Sequence, residues 1–180
     1  MRFPLMIETE RMTLRRPRHS DVGPMTLYAG DRRVATMLTS VPHPYPAGAA
    51  VSFVERSLAG TAKEHVWIMD AVKIEGPEFI GAISLKAKGD DVYELGYWVG
   101  PPFWNTGYAS EAAAAVVAAG RAAGARLTAQ VAEENEASAH VLVNAGFRET
   151  GEGETFNIAR GEMTRMRLFA LAMDEEDAEA

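Results

Sequence analysis

The sequence of 180 residues predicts one α+β domain: a mixed, mostly antiparallel sheet of about seven strands flanked by about four helices. Three observations carry that reading. Strand-like stretches follow one another across short turn signals, Glu75-Gly76-Pro77 and Gly89-Asp90-Asp91, and hairpin connections of this kind imply antiparallel pairing. Helical stretches interleave with the strands, so part of the sheet is expected to be parallel. At 47% hydrophobic, with no internal repeat and no long linker, the chain has material for one core and no obvious place to divide. The expected domain spans residues 1–172, followed by an acidic, disordered tail at 173–180.

Taken in order, residues 6–16 read as a first strand ending before Pro17. Ser20 or Asp21 is placed to cap a short helix carrying Val22, Met25, Leu27 and Tyr28. Arg15, Arg16 and Arg18 read as a solvated edge. The run Val41-Pro42-His43-Pro44-Tyr45-Pro46 excludes regular helix or inner strand and reads as a stiff connector. Residues 47–62 form a second helix through Val51, Val54 and Leu58. Strands at 65–74 and 78–88 precede a third at 93–99, where Tyr93, Leu95, Tyr97 and Val99 alternate with Glu94, Gly96 and Trp98. Gly100-Pro101-Pro102 stops it. From Gly107 to Ala123 the composition turns to alanine, the best helix former. Residues 126–133 are a further strand, 135–145 a short helix stopped by Gly146, and 147–155 and 162–171 the last two strands.

Charge and composition exclude several functions. Asp174, Glu175, Glu176, Asp177 and Glu179 supply five of the charges behind the net −7, so the rest of the chain is near −2 and offers no basic stripe for nucleic acid. There is no cysteine, hence no disulfide, thiolate metal site or cysteine nucleophile. The four histidines, His19, His43, His65 and His140, are too scattered to suggest a metal. The first residues lack the apolar core of a secretory signal, and the run Ala112–Ala119 is too short to cross a bilayer. A soluble, cytoplasmic monomer or homodimer is expected, with no membrane or nucleic-acid partner.

Functionally, the informative stretch is residues 93–111. A strand, a proline stop and a glycine-containing loop lead into a long helix, and such a loop aims unpaired backbone amides at one point at the positive end of the helix dipole. That arrangement suits a phosphate. A plain helix start explains the same residues, since Gly-x-Ala alone is weak evidence.

The segment resembles motif A of the GNAT superfamily of acyl-CoA-dependent N-acetyltransferases, Q/R-x-x-G-x-G/A, whose loop amides hold the coenzyme A pyrophosphate. Here Trp104, Asn105, Thr106, Gly107, Tyr108 and Ala109 fill it. Leu-Gly-Tyr-Trp, Phe-Trp and Gly-Tyr-Ala-Ser-Glu-Ala resemble the Rim-type branch, the ribosomal-protein N-terminal alanine acetyltransferases, where tryptophan at position 104 is usual. Asn105 stands where that branch commonly has glycine. A second resemblance follows: Asn135-Glu136-Ala137-Ser138 and Val143-Asn144-Ala145-Gly146-Phe147 are similar to motif B, with Asn144 in place of the usual lysine. The two motifs stand in family order with one strand between them, and the likeness covers residues 6–171.

What the resemblance implies is a GNAT-like fold, acetyl-CoA as co-substrate without a metal, and direct acetyl transfer to a primary amine, either a peptide N-terminus or a small molecule. Glu94 is implied as the base, an exposed edge carboxylate being the alternative reading of the same residue. A backbone amide near Val99 is implied to polarise the thioester carbonyl. Many relatives carry a tyrosine acid in the motif B helix; Leu142 occupies that position here, and the Rim-type pattern points to Ser138 instead. Ser138 and Asn135 are also implied on the cofactor side, although both are ordinary helix-start residues. His43 and Tyr45 would lie toward the acceptor. Glu133, Glu134 and Glu136 read as solvated charge near the cleft. A second function class stays open: an idle acyl-CoA-binding or regulatory module, given the departures at Asn105, Leu142 and Asn144.

Overall fold

The computed structural model describes residues 3–60 and 63–172; the acidic tail expected at 173–180 lies outside them. Eight strands form one sheet: β1 (Ile7–Glu8), β2 (Thr13–Arg15), β3 (Glu64–Asp70), β4 (Gly81–Gly89), β5 (Val92–Val99), β6 (Arg126–Ala132), β7 (Phe147–Asn157) and β8 (Glu162–Leu171). Their spatial order is β1-β2-β3-β4-β5-β6-β8-β7, and every pair is antiparallel except β5 with β6. Helices α1 (Val22–Ala29), α2 (Arg32–Ala35), α3 (Ala49–Ala59), α4 (Tyr108–Ala122) and α5 (Glu136–Asn144) complete the domain. The α+β class and mixed sheet agree with the expectation; the counts are one strand and one helix higher.

The extra strand has a local cause. Thr9 donates from its amide to the Met12 carbonyl at 2.9 Å, and the Met12 amide donates back to the Thr9 hydroxyl at 3.0 Å. That side-chain turn folds the expected single strand at 6–16 into the β1–β2 hairpin. Helix α2 is a single turn started by Asp31, whose carboxylate accepts from the Arg33 amide at 2.9 Å. Strand β3 ends early because Asp70 turns its side chain to the Val72 amide at 3.0 Å.

The period of two sorts each strand between two cores. Leu14, Ile83, Leu85, Leu95, Leu127, Ala129 and Val131 face α4 and α5, where Ala112, Ala113, Val116 and Leu142 are fully buried. The small residues of α4 let that helix lie close on the sheet. Val66, Ile68 and Ala82 face the other way, onto Met25, Ala50 and Val54 of α1 and α3. Arg15 corrects the solvated-edge reading: it is 4% exposed, donating to Asp70 at 2.6 Å, to both Asp21 oxygens at 2.8 and 2.9 Å, and to the Glu78 carbonyl at 2.9 Å. Asp21 also departs from its expected part as a side-chain cap on α1; its carboxylate is taken by Arg15 and the Arg18 amide. Among the described residues no helix is long and apolar enough to cross a membrane.

Candidate active site

The one parallel pair creates the site. Strands β5 and β6 pair from Val92↔Arg126 to Leu95↔Ala129 and no further. Beyond that point β5 continues on β4 to Val99↔Gly81, while β6 follows β8 to Ala132↔Met166. The two strands therefore splay at their carboxyl ends, the place where open α/β sheets take ligands. The cleft there has a volume of about 1760 Å³, and Glu94, Val99, Trp104 to Ala109, Asn135 and Ser138 all line it.

On the α4 side, the loop after β5 turns through two left-handed residues, Asn105 (φ 60°) and Gly107 (φ 83°). Asparagine is among the few non-glycine residues that accept this region readily, which accounts physically for Asn105 where glycine is usual. Gly107 precedes α4, and the amides of Gly107, Tyr108, Ala109 and Ser110 have no acceptor among the described residues; the first bonded amide is that of Glu111, to the Gly107 carbonyl at 3.0 Å. Four free donors at a helix start fit a pyrophosphate. Trp104 folds back over the loop and its indole N–H donates to the Val99 carbonyl at 2.7 Å. Since a strand residue's N–H and C=O point the same way, this bond puts the Val99 amide on the open side of β5 as well.

Across the splay stands the start of α5. Asn135 caps it, its side-chain oxygen accepting from the Ser138 amide at 3.1 Å. The Tyr97 hydroxyl donates to the Ser138 carbonyl at 2.7 Å and accepts from the Ser138 hydroxyl at 3.2 Å. Burial pushes the Tyr97 phenol up to about 12, the Ser138 bond offsetting part of that rise, so the ring stays neutral throughout the physiological range.

Glu94, Gly96 and Trp98 occupy the opposite face of β5, toward α1 and α3. Glu94 is 22% exposed by side chain and is paired with Lys88 at 3.1 Å. Glycine at 96 leaves the sheet face beside it open; the cross-strand neighbour there is Ser84, which donates to Glu64 at 2.6 Å. Phe53, Val66, Trp98, Met37 and Leu38 supply the apolar part of this wall. The sheet thus divides the cleft into an amide-lined half and a carboxylate-bearing half that meet at the splay.

A family model for the acetyltransferase (GNAT) domain matches residues 11–148. The chain belongs to the GNAT acetyltransferase family. This membership makes it an acetyl-CoA-dependent N-acetyltransferase, and among the described residues no group of histidines and carboxylates could hold a metal. A search of curated proteins gives no match. Among solved structures, a GNAT-family acetyltransferase from Bacillus anthracis is 23% identical with TM-score 0.80, covering 92% of this chain and 97% of that one. RimJ of Mycobacterium smegmatis, solved with CoA-disulfide, is 20% identical with TM-score 0.78, over 97% and 90%. The ribosomal-protein-S5 alanine acetyltransferase of Vibrio fischeri is 19% identical with TM-score 0.74, over 96% and 98%. At these identities the likeness is one of fold.

Several residues of this GNAT domain sit elsewhere than the sequence implied. Tyr45 packs against the α1/α3 core, and neither it nor His43 is among the residues lining the cleft; Arg33, Val34 and 36–41 line it on that side. That segment is held from the β7–β8 turn: Asn157 and Arg160 both donate to the Thr36 carbonyl, at 2.9 and 2.8 Å, and the Ile158 amide to Thr39 at 3.1 Å. Glu134 pairs with Arg160, and Glu136 with Arg167 at 3.2 Å, while Glu133 is exposed, in keeping with solvated charge. His140 is exposed on α5 and makes no bond to Ser138. Two contributors were missed. Tyr97 was legible only as a member of an alternating strand, and Arg11 carried no local signal, because their partners lie 41 and 100 residues away.

Proposed function

We propose that this GNAT chain transfers acetyl from acetyl-CoA directly to a primary amine, a protein N-terminus or a small amine, without an acetyl-enzyme. One observation carries the reading: the splay brings the free loop amides, the Val99 amide, Ser138 and Glu94 to one cleft from both faces of the sheet. The loop amides of Gly107 to Ser110 would hold the pyrophosphate, as donors preorganised at a helix start. Acetyl-CoA, when bound, supplies an activated carbonyl.

The chain's own residues supply the rest. Glu94 takes a proton from the incoming amine, directly or through one water, so that nitrogen attacks uncharged. The Val99 amide donates to the carbonyl oxygen as negative charge gathers there. Ser138 turns its hydroxyl from Tyr97 to the sulfur and donates to it as the carbon–sulfur bond breaks, the thiolate taking up the proton that the new amide nitrogen releases, while neutral Tyr97 holds the residue through its carbonyl. The Rim-type resemblance and the shared fold of RimJ support a protein N-terminus as acceptor. Cysteine is absent from the sequence, which leaves no thiol to carry the acetyl group.

Intact-mass measurement after mixing with acetyl-CoA alone tests the direct route. The protein is expected to stay at its own mass, with acetylated product forming only once an amine is added. A stoichiometric gain of one acetyl group on the protein before any acceptor is present contradicts it.

A further inference from the structure

Arg11 lies in the β1–β2 turn, far from both motifs in sequence, yet it grips the loop ahead of α4 from behind. Its amide and Nε donate to the two Glu111 oxygens, each at 2.7 Å, and the Thr9 hydroxyl donates to the same carboxylate at 2.6 Å. Its Nη1 donates to the Thr106 carbonyl at 2.9 Å, and the guanidinium lies 4.6 Å over the Tyr108 ring. A Cβ on Gly107 would come within 3.2 Å of Nη2, so the fork sits directly against the loop backbone.

The consequence follows from peptide geometry. In a planar trans peptide the C=O and N–H point in opposite directions. Fixing the Thr106 carbonyl toward Arg11 therefore fixes the Gly107 N–H away from it, among the free donors ahead of α4. A charged donor on that carbonyl also polarises the peptide and strengthens its N–H as a donor. Glu111 alone would work against an anion at this helix start, and the guanidinium cancels its charge.

We infer that Arg11 is a positioning residue for the cofactor diphosphate: it sets the orientation of the Thr106–Gly107 peptide and neutralises Glu111, without touching the reacting atoms. The inference rests on the function proposed above.

Calorimetry with coenzyme A and the amide resonance of Gly107 test it together. In Arg11→Ala the coenzyme A Kd is expected to rise about tenfold, in the range set by one charge-assisted bond. The Gly107 N–H signal is expected to move upfield while the core signals of β3 to β5 stay in place. Should the alanine variant fail to fold, Arg11→Lys keeps a cation on Tyr108 but loses the fork, and carries the same expectation. A folded variant that binds coenzyme A as tightly as the wild type overturns the inference. Failure of the wild type to bind coenzyme A strikes the functional reading itself, and the two results are distinguishable.

Discussion

Arg11 and Arg15 stand four residues apart on one hairpin, and each meets carboxylates from elsewhere in the chain, yet they do different work. Arg15 is buried, and Asp21 and Asp70 take up three of its donor atoms. It ties β2 to β3 and to the start of α1, and it faces no cleft. Arg11 is 34% exposed by side chain and spans Glu111 and the Thr106 carbonyl beside four amides that are unpaired among the described residues. The buried cluster is closed, with its charges answered inside the protein. The half-exposed one secures a backbone whose donors still await an acceptor. A charged network marks function here by what it leaves unsatisfied next to it, not by how many bonds it makes.

The largest effect is expected at Arg15. Arg15→Ala leaves two buried carboxylates without their cation and is expected to cost about 3–5 kcal/mol in urea unfolding. A loss below about 1 kcal/mol means the cluster is wetter than its geometry indicates. Next is Glu94. In Glu94→Gln, turnover should fall about 100-fold, or roughly 2.7 kcal/mol of barrier, with coenzyme A affinity unchanged. Equal turnover in the two proteins returns Glu94 to the exposed-edge reading and strips the carboxylate half of the cleft of its chemical part.

Smaller effects are expected at Glu111 and Tyr97. Burial alone would raise the Glu111 carboxyl, but the Thr9 hydroxyl and the Arg11 amide and guanidinium outweigh it and hold the group below the ordinary range. A carboxyl lowered in the folded state contributes stability above its unfolded value, near 4.3, and loses it as pH falls through the folded value. Glu111→Gln should therefore be about 1–2 kcal/mol less stable than wild type at pH 7, with the gap closing in acid below about pH 4. A gap that is constant across pH contradicts the assignment. Tyr97→Phe comes last: about 1 kcal/mol of stability, read in thermal melts, and a modest turnover loss through a less ordered Ser138.

Much of the fold was legible because it rests on local signals. Alternation along 93–99, the stop at Gly100-Pro101-Pro102 and the alanine-rich helix from Gly107 are each written within a few residues. The cleft was legible through its two motifs, which also stand on single strand–loop–helix and loop–helix units. What stayed hidden depends on distant chain segments. The split of 6–16 into a hairpin hinges on Thr9 bonding around Met12, and the burial of Arg15 on Asp70, 55 residues on. The placement of the cleft segment around Thr36 depends on the β7–β8 turn reaching back to it, which no local pattern in Asn157 or Arg160 reveals.

The most direct test of acetyl transfer at this cleft is free-thiol release from acetyl-CoA against pooled small amines and N-terminal peptides. Release with one pool, abolished when that pool is left out, is the predicted result, and the productive pool names the acceptor class. Silence across every pool, with coenzyme A still bound, contradicts transfer to an amine and leaves an idle acyl-CoA-binding module.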